Sequence, residues 1–449
     1  MTDAFRLVGA RSSPVGYLSA LLAGTVVMST VFLLLPSNAS GTSQLLVVVA
    51  WAVTVSLLWF ACATPVRVAT GWLGGFLLAY LALWAYQVSL GAVRGELMPA
   101  VTLLVPFILL TIATKPPTGA QAAVVADVIA WTVIGAAVLT LLLEWRGVVP
   151  SWDGFAAGTP NLAERGAYWL PLADVFGLNG RWVGPWVHPS LAGPWGAFLV
   201  VWGVRRRPAV AYPFMIAGFA ILLLTASRTS LVAAIAGLVV TWAFHRRDLR
   251  VILATIVALA LLLAPRLVPL ATGASSGTDS EAAVAGDLAM SGRTGIWPTM
   301  VDLWRASPWT GVGDAGFREA IAAGKLPEWA IQAHDVILDA GVRSGLLGFA
   351  LAGLVFALAA VGAVRASRAG RRAGLALLVT VFVTGLTDLT IRWTELYTGT
   401  VVLLVAVLVS APSPGDDRNA RARRSPIAAA PQPPPARVPG TDPGLIQEP

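Results

Sequence analysis

Charged side chains and cysteines are scarce in this sequence, and lysine is scarcer still. Only 12% of the 449 residues are charged, about half the share of an ordinary soluble domain. The single cysteine, Cys62, excludes an intrachain disulfide and a metal site built from cysteines. Lys115 and Lys325 are the only lysines, so the other basic side chains are arginines. With many alanines and glycines, this bias is typical of a GC-rich bacterial source.

What the chain has in abundance is apolar surface. Hydrophobic residues make up 57% of it, and the mean hydropathy is +0.75. A soluble fold has too little interior to bury so much apolar surface, so lipid must solvate it. The formal net charge of +8 lies in short segments between apolar runs. That distribution is typical of membrane topology and not of a nucleic-acid-binding surface.

Apolar runs recur along most of the chain, each roughly long enough to span a bilayer. They lie near 17–35, 44–62, 70–90, 98–114, 122–143, 191–204, 209–226, 229–244, 250–268, 345–363, 374–390 and 397–411. The sequence therefore predicts an all-α polytopic membrane protein with about twelve transmembrane helices. The first run is too long for a signal peptide, so we expect an uncleaved anchor. The predicted transmembrane domain covers 1–411.

Arginines occur in every second loop, which predicts the orientation in the membrane. With Arg6 and Arg11 placed in the cytoplasm, the positive-inside rule is satisfied by the remaining loops. Both termini are therefore predicted to be cytoplasmic. Two long loops, 144–190 and 269–344, then fall on the extracytoplasmic side, and the larger is predicted to be partly helical. The proline-rich segment 412–449 is predicted to be a disordered cytoplasmic tail.

The larger loop contains a pattern typical of an amphipathic helix. Apolar residues at helical spacing lie opposite polar ones, which predicts a helix on the membrane surface. The apolar residues are Ile296, Trp297, Met300, Val301, Leu303 and Trp304. Gly311 and Gly313 predict a tight turn. A second helix is predicted to begin near "AHDVILDAGVRSGLLG", with His334 and Leu338 one turn apart on it.

Arg228 separates two apolar runs at their predicted extracytoplasmic ends. A charge at such a position is costly unless it meets a partner or water, which favours a functional role. The alternative is an arginine that extends toward water and anchors a helical hairpin.

Three segments together resemble a known family. The segments "ASRTS", "SGRTGIW…PWTGVGDAGF" and "AHDVILDAGVRSGLLG" are similar to the signature of the O-antigen ligase / O-antigen polymerase family, bacterial membrane glycosyltransferases of the GT-C type. The resemblance covers about 190–350. The family's two arginines correspond to Arg228 and Arg293, and its histidine to His334. The family commonly has asparagine after the histidine, where this chain has Asp335, so the role of that position is open.

The resemblance implies an enzyme of the bacterial cytoplasmic (inner) membrane. It implies transfer of a glycan from an undecaprenyl-pyrophosphate carrier to a glycan or lipid acceptor on the extracytoplasmic face. Arg228 and Arg293 then bind the pyrophosphate, for which the guanidinium fork is suited. His334 acts as the base, with Asp335 as its orienter or a rival base. The resemblance implies no metal and no other cofactor, and the predicted outer loops contain no Asp-x-Asp motif.

Each of these assignments has an alternative. A lone histidine beside apolar residues is more often packed than catalytic. Arg293 is alternatively a residue that caps a surface helix. His188 and Trp297 are candidates for lining the site, although a turn and a membrane-interface aromatic explain them equally well. Asp388 and Glu395 are candidates for binding sugar hydroxyls or for an ion pair with Arg392, and the ion pair is favoured.

The function also has rival interpretations. The main alternative is a lipid-linked oligosaccharide flippase or another polytopic transporter, and a scaffolding membrane protein is a third. A transporter predicts charges in the middle of several spans, where this sequence has few. Ligase and polymerase differ only in the acceptor, and the sequence does not separate them.

Overall fold

The structure is a computed structural model. It describes residues 18–27, 51, 68–96, 100–146, 182, 184–186, 189–225, 227–246, 293–327, 330, 332–386 and 390–412. The helices within these residues belong to one compact unit, which ends at Ala411. The predicted tail from 413 onward lies outside the described residues, so its disorder stays a prediction.

The described part of the chain is helical and contains no strand. Its α-helices are α1 Leu18–Val27, α2 Gly71–Val93, α3 Leu104–Thr114, α4 Gly119–Trp145, α5 Pro189–Gly203, α6 Pro208–Thr225, α7 Arg228–Arg246, α8 Arg293–Ala306, α9 Gly313–Ala322, α10 Val336–Arg368, α11 Ala373–Gly385 and α12 Thr398–Ser410. Short 3-10 turns occur at Ala100–Leu103 and Gly184–Trp186.

Most of these helices are apolar enough to lie in a membrane. Four of them, α2, α4, α6 and α10, are also long enough to cross one. Six shorter apolar helices are α1, α3, α5, α7, α11 and α12. All of them coincide with predicted apolar runs, which confirms the all-helical, polytopic membrane architecture. The count of about twelve crossings stays a prediction, because 250–268 and all of 44–62 except Trp51 lie outside the described residues.

Helices α5 and α6 pack through small residues. A Cβ added to Gly196 would lie 2.8 Å from the carbonyl oxygen of Gly218, and the reverse distance is also 2.8 Å. Lipid provides no hydrophobic force between helices, so such close backbone approach supplies van der Waals attraction instead. Large apolar side chains such as Leu78 and Ile216 are exposed on other faces. Exposure of that kind is expected where lipid is the solvent.

The predicted amphipathic helix is present as α8, but its apolar face is not left to lipid. Ile296, Trp297 and Met300 are buried in a cluster that α9 and the start of α10 complete. The cluster members beyond α8 are Phe317, Leu326, Ala330, Ala333 and Val342. Protein therefore covers the face that lipid was expected to cover, and the position of α8 at the membrane surface stays a prediction.

The predicted tight turn precedes α9 and packs against α10. Gly311 has φ +70° and Gly313 has φ +64°, a region that glycine occupies at little cost. The backbone N–H of Val312, between them, donates to the carbonyl oxygen of Val342 at 2.7 Å. The turn therefore docks directly onto the first two turns of α10.

Helix α10 is interrupted at Gly345, which has φ +68° and ψ −164°. A Cβ at that position would lie 2.1 Å from the carbonyl oxygen of Trp309. The backbone N–H of Leu346 donates to the carbonyl oxygen of Pro308 at 2.7 Å, so the loop supplies a partner at the interruption. The short segment Val336–Ser344 is thereby set apart from the apolar remainder of the helix.

Candidate functional site

The predicted site arginines both stand at the first residue of a helix. Arg228 opens α7, directly after Ser227, and Arg293 opens α8. Their side chains are not among the described parts of the structure, so their pyrophosphate role stays a proposal. Ser227 is described. It is buried and its Oγ donates to Ser230 Oγ at 2.9 Å.

The Ser227–Arg228 junction is packed closely against α5. A Cβ added to Gly193 would lie 2.5 Å from Ser230 Oγ and 2.6 Å from Ser227 Cβ. Helix α6 ends at Thr225 and α7 begins at Arg228, so the predicted break between the two apolar runs is present. Small residues on both sides allow the serine corner at this break to approach α5.

His334 does not lie on a helix, contrary to the expected one-turn spacing with Leu338. It precedes α10, which begins at Val336. Its φ is +54°, and no other non-glycine residue in the described ranges has a positive φ. Such a conformation costs about 1–3 kcal/mol and persists only where the surroundings determine it. The imidazole is buried, with 6% of the residue exposed.

Asp335 has a clear structural role at the start of α10. Its Oδ1 accepts hydrogen bonds from the backbone N–H groups of Ile337 and Leu338, both at 2.9 Å. This is the N-cap arrangement, which satisfies two amides that the helix itself leaves without acceptors. Whether the same carboxylate also acts as orienter or base for His334 stays a prediction.

The residue before His334 is held on both of its backbone groups. Trp297 Nε1 donates to the carbonyl oxygen of Ala333 at 3.0 Å. The N–H of Ala333 donates to Asp339 Oδ1 at 3.1 Å. The structure thus brings Trp297 of α8 and Asp339 of α10 to the backbone next to His334. Trp297 was predicted to line the site, and its hydrogen bond to Ala333 places it beside the histidine loop.

A network of charges continues from Asp339 through three further elements. Asp339 Oδ2 accepts from Arg343 Nε at 2.8 Å, and Arg343 Nη1 also pairs with Asp314 at the start of α9. Arg392 Nη2 donates to Asp314 Oδ2 at 3.0 Å, and its Nη1 pairs with Glu395 at 2.8 Å. The expected ion pair of Arg392 and Glu395 is confirmed. The ion pairs that Asp314, Asp339 and Arg343 form were not predicted.

The charge of Arg392 is maintained by its neighbours. Burial lowers the pKa of this guanidinium. Glu395 and Tyr397 raise the pKa by more than burial lowers it, so the net shift is upward. The pKa of Tyr397 is raised by burial first and by Glu395 second. Arg392 is therefore a permanent cation, and Tyr397 is a neutral phenol beside it at physiological pH.

Arg94, one residue beyond α2, binds the two segments that meet at this end of the molecule. Its Nη2 donates to the carbonyl oxygens of Thr310 at 2.8 Å and Gly311 at 2.7 Å, and its Nη1 donates to that of Arg343 at 3.1 Å. A guanidinium has five donors in a fixed plane and suits such a three-way contact. Arg94 joins α2, the glycine turn and α10.

Glu96 fixes the start of α9 in the same way. Its Oε1 accepts from the backbone N–H of Ala315 at 2.9 Å, in the first turn of the helix. A Cβ on Gly313 would lie 2.3 Å from Arg94 Nη1 and 2.7 Å from Glu96 Oε1. The second glycine of the turn is thus required for space as well as for its backbone conformation.

Sequence reasoning did not identify Arg94, Asp314, Asp339 or Arg343 as parts of the site. Three of them lie inside the quoted motifs, in "TGVGD" and "LDAGVR". Charges flanked by glycines at the edge of apolar runs were the available signal. His188 and Asp388 lie outside the described residues. No group of three His, Cys, Asp or Glu residues in the described ranges is placed to hold a metal ion.

These features define the class: an all-helical polytopic membrane protein with a buried polar site at one end of its helices. Residues 213–353 match the family model described as O-antigen ligase, which confirms the resemblance over that part of the chain. No curated protein matches the chain. The matched range runs from α6 through the first half of α10, so it contains Arg228, Arg293, Trp297 and His334.

The domain and the apolar helices together indicate a bacterial inner-membrane protein with an O-antigen ligase-like or polymerase-like function. The family also implies lipid-linked glycan substrates. The orientation of the termini and the identities of the carrier and the acceptor stay proposals.

Proposed function

We propose that this protein transfers a glycan from an undecaprenyl-pyrophosphate carrier to an acceptor hydroxyl on the extracytoplasmic face of the inner membrane. The observation that carries the proposal is the family match over 213–353. The arginine pattern of the loops supports the sidedness, because it assigns the end that holds His334 to the outside.

The reaction requires no nucleotide, because the donor carries its own leaving group. The acceptor oxygen attacks C1 of the reducing-end sugar, and the bond from C1 to the pyrophosphate oxygen breaks. The electron pair leaves on the pyrophosphate, and the hydroxyl proton passes to the base. Attack opposite the leaving group inverts the configuration at C1.

Two arginines suit the leaving group in this scheme. A guanidinium forms bidentate, charge-assisted hydrogen bonds to phosphate oxygens and stays protonated. In the proposal, Arg228 and Arg293 bind the diphosphate and stabilise the charge that grows as the glycosidic bond breaks. Both stand at the N-terminus of a helix, where the aligned peptide dipoles also favour an anion.

His334 is the base in this proposal, in preference to Asp335. One oxygen of Asp335 is engaged by two backbone amides of α10, and hydrogen bonds to a carboxylate make it a weaker base. Imidazole accepts a proton near neutral pH and passes it on. The positive φ of His334 supports a functional role, because strain of this kind clusters at active sites.

The test is reconstitution of the full chain in liposomes with a lipid-pyrophosphate-linked glycan and candidate acceptors. A ladder of products indicates a polymerase, and one discrete shift in acceptor size indicates a ligase. Movement of the donor across the bilayer without a new bond indicates a flippase and rejects the transferase proposal.

Three variants test the residues in the same assay. Arg228→Ala, Arg293→Ala and His334→Ala are each expected to abolish transfer while the protein stays in the membrane. Arg318→Ala is the matched control, because Arg318 is an exposed arginine on α9. Full transfer by the Arg293 and His334 variants would reject the assigned roles even if the wild-type protein is a transferase.

A further inference from the structure

The backbone at His334 is set by contacts that come from other parts of the chain. Ala333, the residue before it, has its carbonyl oxygen bound by Trp297 Nε1 and its N–H bound by Asp339 Oδ1. A non-glycine residue keeps a positive φ only where neighbouring contacts impose it. The two hydrogen bonds to Ala333 restrain the backbone directly before His334 from outside the loop.

We propose that Asp339 is the positioning residue for His334 in glycan transfer. This inference rests on the proposed function and names a part of its site that neither the motifs nor the family match assigns. Asp339 acts through the backbone of Ala333. It does not act as a base, because both of its oxygens are engaged, one by Ala333 and the other by Arg343.

Asp339 is rigidly placed for this task. Its backbone N–H donates to the carbonyl oxygen of Asp335 at 2.8 Å, within the first turn of α10. Only 4% of the residue is exposed. A buried carboxylate that is held by a helix and by a guanidinium is more precisely placed than any side chain of a loop.

Arg343 holds the second oxygen and is itself restrained. Its Nε donates to Asp339 Oδ2, its Nη1 pairs with Asp314, and its Cζ lies 4.7 Å from the centre of the Phe317 ring. The charge network therefore orients the carboxylate, and the carboxylate orients Ala333. Displacement of a catalytic group by about 1 Å costs on the order of 100-fold in rate.

The test measures kcat and the KM for the lipid-linked donor with the purified full-length protein. Asp339→Ala removes the acceptor for the Ala333 amide. We expect kcat to fall about 100-fold, with KM changed by no more than about twofold because the interaction affects positioning and not donor binding. Asp339→Asn keeps an acceptor oxygen and is expected to recover much of the lost kcat.

Trp297→Phe provides a second, uncharged variant. It keeps an aromatic ring in the cluster and removes only the donor to the Ala333 carbonyl oxygen. We expect kcat to fall about tenfold, the effect of one hydrogen bond. This variant decides the matter if Asp339→Ala does not fold. Asp302→Asn, an exposed aspartate on α8, is the control and is expected to behave as wild type.

The possible outcomes separate this inference from the proposed function. If the wild-type protein has no transfer activity, both the proposed function and the positioning role of Asp339 are rejected. An active wild type whose Asp339→Asn and Trp297→Phe variants keep kcat, or raise only KM, overturns the positioning role and leaves the transferase intact. If the Asp339 variants lower the protein yield but the folded fraction keeps its kcat, Asp339 has a structural role alone. That result also overturns the positioning role.

Discussion

The two ends of α10 use charged residues in different ways. The site end consists of Arg94, Glu96, Asp314, Asp339, Arg343, Arg392 and Glu395, together with the His334 loop. There, most of the charges contact charges or backbone groups of other elements. The arginine end consists of the turns at 204–207 and 369–372. There, the ion pair of the described residues is Arg206 with Asp127.

The difference follows from what surrounds the charges. At the arginine end, Arg206 and Asp127 keep 25% and 30% of their side-chain surface exposed, so water still solvates both. Burial and the nearby Arg372 lower the pKa of Arg205, because arginines of two turns lie close together here. Such cations orient a membrane protein through their excess on one side of the membrane, and specific pairing is not needed for this effect. At the site end, by contrast, the side chains of Arg343 and Asp339 are only 11% and 5% exposed, and charges buried that deeply require specific partners.

Removal of one arginine from each end of α10 tests this difference most directly. Arg343→Ala leaves Asp339, which is 5% exposed at its side chain, without its cation. We expect the free energy of unfolding to fall by about 3–5 kcal/mol. Arg206→Ala is expected to cost about 1 kcal/mol, because its partner stays accessible to water.

Thermal unfolding of both variants in the same detergent measures the contrast. Arg343→Met is the companion variant, because it keeps the volume of the side chain and removes only the charge and its donors. Equal losses of stability for the Arg343 and Arg206 variants would mean that the site end tolerates an unpaired carboxylate as well as the arginine end does.

A smaller effect is expected from the glycine turn. Gly311 and Gly324 have nearly the same φ, +70° and +69°. A Cβ on Gly311 would lie 2.4 Å from the carbonyl carbon of Arg343, whereas a Cβ on Gly324 meets nothing within 4 Å. Alanine at 324 should cost only about 1 kcal/mol for the backbone conformation, and alanine at 311 about 2–3 kcal/mol because of the added clash.

Comparison of the two alanine variants separates the cost of the clash with α10 from the cost of the positive φ. Equal unfolding temperatures for Gly311→Ala and Gly324→Ala would show that the turn is not pressed against α10. A lower temperature for Gly311→Ala alone, with reduced transfer, would sharpen the view that the glycine turn helps to hold the site end together.

The helices could be predicted from the sequence because their cause is local. Runs of apolar residues are stable in lipid only as helices, and α2, α4 and α6 begin and end near the predicted limits. The break at Ser227–Arg228 and the turn at Gly311 follow from similarly local signals.

The site could be predicted only in part, because its geometry depends on distant contacts. The resemblance singled out His334, but helical spacing gave it the wrong backbone. The carbonyl oxygen before it is bound by Trp297, 36 residues away from Ala333. Arg94 reaches Gly311 across 217 positions. No local sequence pattern indicates a contact between residues so far apart. The apolar face of α8 was expected to contact lipid for the same reason, because the residues that cover it lie in α9 and α10.

The smallest predicted effect concerns a charge at the site end that lies outside the network. Arg305 on α8 pairs with Asp302 at 3.3 Å, and the two side chains are 77% and 71% exposed. A pair so exposed is worth little, because water screens it and both side chains lose freedom on pairing. Arg305→Ala should therefore change the free energy of unfolding by no more than about 0.5 kcal/mol and leave transfer unchanged. Unfolding temperature and transfer rate, measured beside Arg343→Ala, check both points. If Arg305→Ala instead stops transfer while folding normally, the polar face of α8 contacts substrate, and the site would then extend beyond the buried network.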